Sequence, residues 1–343
     1  VRVVLVGPGS VGTRIARELI RHSSVEQLTV QHRDQRRAAL ATEGLGERVV
    51  LRSGRATDIP PGTDVVIVAA PSGATAIARA ALAARAHVVV AADDPHDTRT
   101  LLALDGPARM ADRTVVIGAT MAPGLSCVLA RWASGRLDRV EEVHVASFGT
   151  GGPACARRHH AALSSPGIDW YDGAWRHRPG GSGRELVWFP EPVGGADCYR
   201  GRLVDPTLLL PAFVGARRIS ARMEATRRDR FTAALPMLRR PHPEGTVGAV
   251  RVELRGWIGS VSESVVVGAV GRPALVAGTV AATVARWAVD GRLARSGAAG
   301  LAELVGRPAE FLAHLSERGI AVSRFEGTDA AVDERLEEPA TAV

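Results

Sequence analysis

From its first residue the chain sets short apolar runs against amphipathic stretches. "VRVVLV" is apolar and largely β-branched, and a glycine-rich turn follows it. The next stretch, "SVGTRIARELIRH", places Ile15, Leu19 and Ile20 on one helical face. Further runs repeat the strand signal: "QLTVQHR", "TDVVIVAAPSG", "AHVVVAADDPHD" and "RTVVIGA". Several of these are apolar throughout rather than at alternate residues, which suits a parallel sheet covered on both faces. Residues 1–122 are therefore expected to form a Rossmann-type, doubly wound parallel sheet.

The rhythm changes at Pro123-Gly124, which introduces a helix expected over 125–134. Beyond it, "EEVHVASFG", "ELVWFPEPV", "RRISARMEA", "AVRVELRGWI" and "ESVVVGAVG" partly alternate, with no regular helix between them. That pattern predicts a second, α+β domain over 123–271 with a mainly antiparallel sheet covered on one face. An alanine-rich helix near 272–291, bounded by Pro273 and Gly291, is expected to complete the first domain. Residues 272–326 are expected to be a helical segment packing back on that domain, and 327–343 a disordered tail. The fold class is α/β with two domains.

Composition narrows the classes. The length of 343 residues suits two packed domains, and 46% hydrophobic residues supply a core. No apolar stretch approaches the length of a membrane span. The opening directly on a strand leaves no room for a leader peptide, so cytoplasmic residence is expected. Three widely spaced cysteines, Cys127, Cys155 and Cys198, make neither a disulfide framework nor a metal site. The net charge of +7 suggests nucleic acid, but the arginines are scattered among acids and are not interleaved with aromatics, so no nucleic-acid partner is expected. Lysine and asparagine are both absent, as a GC-rich genome would produce. The absence of lysine removes any Schiff-base or lysine acid–base chemistry.

The first turn spells G-x-G-x-x-G with Gly7, Gly9 and Gly12, followed by Ser10 and Val11 at the helix start. Gly7 permits the tight turn, Gly9 lets a pyrophosphate approach the backbone, and Gly12 lets helix and strand pack closely. The strand before and the helix after give this motif its context as a dinucleotide site. Twenty residues on, where an NAD-binding chain carries an acid for the ribose 2′-hydroxyl, the second strand ends in His32 and Arg33, with Arg36 and Arg37 beyond. A guanidinium suits a 2′-phosphate, so NADP rather than NAD is expected, with Arg33 as its contact. The competing reading keeps Arg33 as a solvated residue and gives the ribose to Asp34. Ala70, Pro71, Ser72 and Asp93 fall at strand ends on the rim where ligands of such sheets bind. Asp58 either reaches the adenine or serves its own turn.

At this point the residues carry a resemblance. The fingerprint with its arginine-ended second strand, the segment "GATMAPGLSCVLARWASG", the strand-rich insert and the late alanine-rich helix resemble the saccharopine dehydrogenase/reductase-like oxidoreductases. The resemblance covers most of the chain, with the "APGLS" segment its most specific part. It implies hydride transfer between NADP and an imine or carbonyl of an amino-acid-like small molecule. The chain departs from that family in lacking lysine and in its short second domain. A non-catalytic NADP-binding sensor or scaffold is the rival reading.

Substrate chemistry is expected between residues 149 and 202. His159 and His160 are adjacent, so only one faces a site. Tyr171 and Tyr199 are the only tyrosines. His160 and Tyr199 are the expected proton donors, if the second domain folds over the cofactor as the resemblance implies. Arg178 and Arg200 are the expected clamps for a substrate carboxylate. A homodimer joined through the second domain is expected, because a sheet covered on one face leaves the other exposed.

Overall fold

A computed structural model describes residues 1–237, 240–326 and 330–332. The chain opens with β1 (Arg2–Val6), α1 (Ser10–Ile20), β2 (Gln27–Gln31), α2 (Gln35–Thr42) and β3 (Val49–Arg52). It continues through β4 (Val65–Val68), α3 (Ala74–Ala83), β5 (His87–Val90), α4 (Pro95–Leu102), α5 (Asp105–Met110) and β6 (Thr114–Ile117). These strands pair in parallel in the order β6-β5-β4-β1-β2-β3, so the sheet reverses direction between β1 and β4. β4 and β6 are buried at every residue, as the unbroken apolar runs require.

The second region begins with α6 (Leu125–Ser134), β7 (Arg139–Phe148), α7 (Pro153–Leu163), β8 (Gly167–Tyr171), β9 (Ala174–Arg178), β10 (Glu185–Phe189) and β11 (Gly194–Tyr199). Then come α8 (Asp205–Leu209), β12 (Arg218–Glu224), α9 (Arg227–Thr232), β13 (Gly248–Ile258) and β14 (Val261–Gly271). The sheet runs β10-β11-β12-β7-β13-β14, with β8 and β9 branching from β12. All of its pairs are antiparallel except β7 with β12. Val143, Val145, Ile219, Ala221, Val250, Val252 and Leu254 line one face and join the main core, against α6 and α8. On the other face Glu142, His144, Ser220, Arg222, Glu253 and Arg255 point outward, as a period of two demands, while Ala146 and Ala249 join a smaller apolar cluster with Val187 and Phe189.

The chain then returns to the first domain with α10 (Pro273–Val289), β15 (Gly297–Gly300), α11 (Leu301–Leu304) and α12 (Pro308–Ser316), and ends with β16 (Ala321–Glu326) and β17 (Ala330–Val332). α10 lies along α1, where Gly278 is close enough that a Cβ would come within 2.7 Å of Arg14 Cβ and 3.2 Å of Ile15 N. The segment expected to be helical is not wholly so. β15 pairs in parallel with β6 as a seventh strand of the first sheet, and β16 pairs antiparallel to β14 in the second. "GAAG" lacks the β-branched signature of a strand, and its place comes from backbone pairing. The expected disordered tail lies outside the described residues, apart from 330–332.

Candidate nucleotide site and interdomain cleft

At the reversal point, Gly7 has φ +97°, and a Cβ there would lie 2.7 Å from Ala70 N and 2.8 Å from the Ala69 carbonyl carbon. The glycine lets the ends of β1 and β4 come together. A Cβ on Gly12 would sit 2.1 Å from Gly7 O, so α1 can begin this close to the turn only without one. Gly9 is the opposite case. It caps α1 in an extended conformation, no side chain caps the helix, and a Cβ would meet nothing within 4 Å. The amides of Ser10 and Val11, at the start of an eleven-residue helix, have no hydrogen-bond partner among the described residues, and the space at Gly9 beside them is open. That is the cradle a pyrophosphate needs.

Three segments from beyond the first domain press against this helix start. The Ser10 hydroxyl donates to Pro243 O at 2.8 Å. Gly152, at φ +113°, leaves room for Ser10 Oγ, which a Cβ would meet at 2.5 Å. Gly151 lies against Ala274 at the start of α10. Beside them a groove of about 310 Å³ runs between α1 and α2, walled by Gly9, Thr13, Arg14, Arg17 and Arg37. Glu244 enters it and bonds to Arg14 at 3.2 Å and to Arg272 at 3.4 Å.

At the end of β2, Asp34 accepts from Arg37 N at 3.1 Å and so caps α2. Arg33 is exposed, and neither it nor Arg36 nor Arg37 has an ion pair among the described residues. Asp58 accepts from Arg55 N at 3.3 Å and closes its own turn after β3.

Ala70, Pro71 and Ser72 leave the end of β4, and Asp93 leaves the end of β5. Across this rim lies Arg158 of α7. Its Nη1 donates to the Asp93 carboxylate and its Nη2 to Pro71 O. Burial works against the Arg158 charge, but Asp93 outweighs it and holds the guanidinium above its ordinary proton affinity. His159 donates through Nε2 to Glu224 O at 2.6 Å, and burial lowers its proton affinity.

The two expected proton donors do not take part in this meeting. His160 is buried, with Nε2 donating to Thr232 O at 3.1 Å and Leu235 O at 3.0 Å. Tyr199 packs at full burial with Leu163, Met223 and Ala233, and its hydroxyl has no hydrogen-bond partner among the described residues. α7 turns Arg158 toward the rim and His160 toward α9, and β11 sets Tyr199 in its apolar cluster. Arg178 and Arg200 do come together, but elsewhere: both line a cavity of about 240 Å³ on the outward face of the second sheet.

The "APGLS" segment folds beneath the rim. Thr120 and Gly124 are bridged, and Ser126 Oγ donates to Asp205 Oδ1 at 2.7 Å with both residues buried. Burial pushes the Asp205 carboxyl up to about 6. The sequence reading missed Arg158, Gly152, Glu244 and Asp205. The glycine pair before Pro153 was the available signal for a close approach at a helix start.

Compared with solved structures, the chain is similar to apo saccharopine dehydrogenase (L-Glu forming) from Saccharomyces cerevisiae. The match has a TM-score of 0.73 at 14% identity and covers 95% of this chain and 100% of that one. The chain has the saccharopine dehydrogenase fold. The resemblance expected from the "APGLS" segment and the glycine fingerprint is thus met at the level of fold. Diaminopimelate (DAP) dehydrogenase of C. glutamicum, solved with DAP, also matches, at a TM-score of 0.48 and 15% identity over 90% of this chain and 95% of that one. No protein-family model matches the sequence, and no curated protein matches it. Among the described residues, no helix is long and apolar enough to cross a membrane.

Proposed function

We propose that this chain is an NADP-dependent oxidoreductase that transfers hydride to the imine or carbonyl carbon of an amino-acid-like small molecule. One observation carries the reading. The open, uncapped start of α1 and a guanidinium from the second domain both stand at the carboxyl ends of the strands of the first sheet. The residues fit the dinucleotide. Gly9 and the amides of Ser10 and Val11 receive the pyrophosphate, and Arg33, with Arg36 and Arg37 beside it, receives the 2′-phosphate. Asp58 borders the adenine end, and Ala70, Pro71 and Ser72 border the nicotinamide end. When bound, the nicotinamide supplies the hydride.

The chain's own groups orient and hold. Asp93 fixes the Arg158 guanidinium at the rim, and Arg158 orients a substrate carboxylate. His160 and Tyr199 are engaged away from the rim, so we assign the proton to water entering the cleft. The saccharopine dehydrogenase fold supports this arrangement. A cytoplasmic location agrees with three unpaired cysteines. A homodimer joined through the second domain is supported by Trp175, Leu186 and Trp188, all exposed on β9 and β10. Light scattering that reads a monomer at micromolar concentration ends that part of the proposal.

The activity is tested by following NADPH oxidation with mixtures of keto acids and amines. Arg158→Ala is expected to lower turnover about a hundredfold or more while leaving NADPH affinity within about twofold. Tight NADPH binding without turnover on any imine or keto acid would favour the non-catalytic sensor instead.

A further inference from the structure

The outward face of the second sheet carries a concentration of charge that hydride transfer does not use. Along β7, β12 and β13 the outward positions hold Glu142 and His144, Arg218, Ser220 and Arg222, then Glu253 and Arg255. The β8–β9 hairpin and β10 border them around a cavity of about 240 Å³, somewhat smaller than pockets for drug-sized ligands and suited to a compact one. His144 and Phe148 are four residue steps apart along β7, roughly 13 Å of extended strand. A molecule in this cavity therefore does not touch the rim.

Five arginines line the cavity against three carboxylates, which leaves positive charge in excess. Glu142, which approaches Arg218 and Arg255 at 3.7 Å each, offsets part of it. The carboxylates are engaged in ways that leave donors free. Asp169 takes Arg200 through Nε at 3.0 Å, and Glu185 takes Arg222 through Nε at 3.1 Å. Neither arginine makes a hydrogen bond through its Nη atoms among the described residues. Arg178 has no ion pair among the described residues. His144 is held in place on both sides, by Ser220 Oγ at 2.8 Å and Glu142 at 2.9 Å. The half-buried Arg222 guanidinium is destabilised by desolvation, which Glu185 does not fully repay, and its proton affinity falls below the ordinary value.

We propose that this cavity is a second binding site that takes a compact dianion on the free guanidinium forks of Arg178, Arg200 and Arg222. Planar forks with parallel donors suit the oxygens of a phosphate ester or of a dicarboxylate, and that shared chemistry defines the ligand class. The site stands independently of the proposed oxidoreductase activity.

The test is calorimetric titration of the full chain with inorganic phosphate and, separately, with succinate, at ionic strength matched by chloride. Saturable binding of either one is expected. Phosphate alone points to an ester, and succinate alone to a dicarboxylate. Arg178→Ala, at an exposed position without a structural partner, is expected to weaken that binding about tenfold or more. It should leave the NADPH titration and the melting temperature unchanged. Arg222→Gln serves as a second variant, with its folding checked by the NADPH titration. Binding of neither anion beyond the chloride control overturns the proposal, as does an Arg178→Ala variant with wild-type anion affinity. A second copy of the chain that covers this face and excludes both anions overturns it equally.

Discussion

Gly9→Ala separates folding from cofactor binding at a single carbon. The backbone at Gly9 has φ −87° and ψ −165°, which alanine adopts without strain, and a Cβ there meets nothing within 4 Å. Folding stability should therefore stay level or rise by about 0.4–1 kcal/mol, because alanine restricts the unfolded chain. Binding should behave otherwise. The new methyl occupies the space above the first amides of α1, where phosphate oxygens must come within hydrogen-bonding distance. Loss of two charge-assisted hydrogen bonds at about 1.5 kcal/mol or more each costs about 3 kcal/mol. That corresponds to a hundredfold or greater rise in Kd, read by NADPH fluorescence titration. Gly12→Ala is the contrasting control. Its Cβ would lie 2.1 Å from a backbone oxygen, so overpacking should lower stability by about 1–3 kcal/mol. A Gly9→Ala protein that binds NADPH like the wild type would show that the dinucleotide does not lie on this loop. One that melts far below the wild type would show that the space above Gly9 is not open.

Three further outcomes are expected. Wild-type protein should bind NADPH at least about tenfold tighter than NADH, and Arg33→Ala should erase most of that difference while leaving NADH affinity nearly unchanged. Equal titration curves in the wild type would remove the assignment. Glu244→Gln should tighten NADPH binding severalfold at low salt, because it withdraws a carboxylate from the arginine-lined groove beside the phosphate cradle; weaker binding would show that Glu244 supports the cofactor. Asp205 is held up to about 6 in the fold, above its unfolded value of about 3.9. Its contribution to stability is thus complete below about pH 4 and lost as pH rises through 6, by up to about 3 kcal/mol. Asp205→Asn keeps an acceptor for Ser126, so its denaturant midpoint should match wild type at pH 4 and exceed it at pH 8. Parallel pH profiles for the two proteins would refute this.

The parts of the fold that were legible in the sequence are those fixed by local pattern. Apolar runs at 65–68 and 114–117 became fully buried strands, and Pro273 and Gly291 bracket α10 as end signals do. β15 was not legible, because four small residues carry no periodicity and become a strand only by pairing with β6. β3 carries the apolar run Val49–Leu51, yet it is only half-buried at its two ends and exposed between them, so a short run of this kind did not by itself mark its place at the sheet's edge. The glycine turn could be read because Gly7 and Gly12 answer close backbone contacts that the motif itself encodes, while Gly9 leaves its space open. The rim could not. Whether Arg158 or His160 faces it depends on how α7 is rotated. That rotation is set by the approach of Gly152 to Ser10 and by the seat of His160 under α9, both contacts between residues far apart in sequence. Tyr199 is a similar case, since only the pairing of β11 with β12 shows that its ring lies in a dry cluster beside Met223.

The late strand β15 bears on how the chain reaches this fold during synthesis. The first sheet is assembled from residues near both ends of the described chain, with most of the second domain made between them. Until residue 300 has emerged, β6 presents an unpaired edge of backbone amides and carbonyls, and the apolar side of α1 lacks α10. A chain halted after β14 thus holds every glycine of the cradle on a sheet that is still open, the state most prone to pair with a neighbouring chain. Cutting this protein at the boundary between its apparent halves would not release a nucleotide domain. The first sheet closes only after most of the second has been made, and β16 then extends the second.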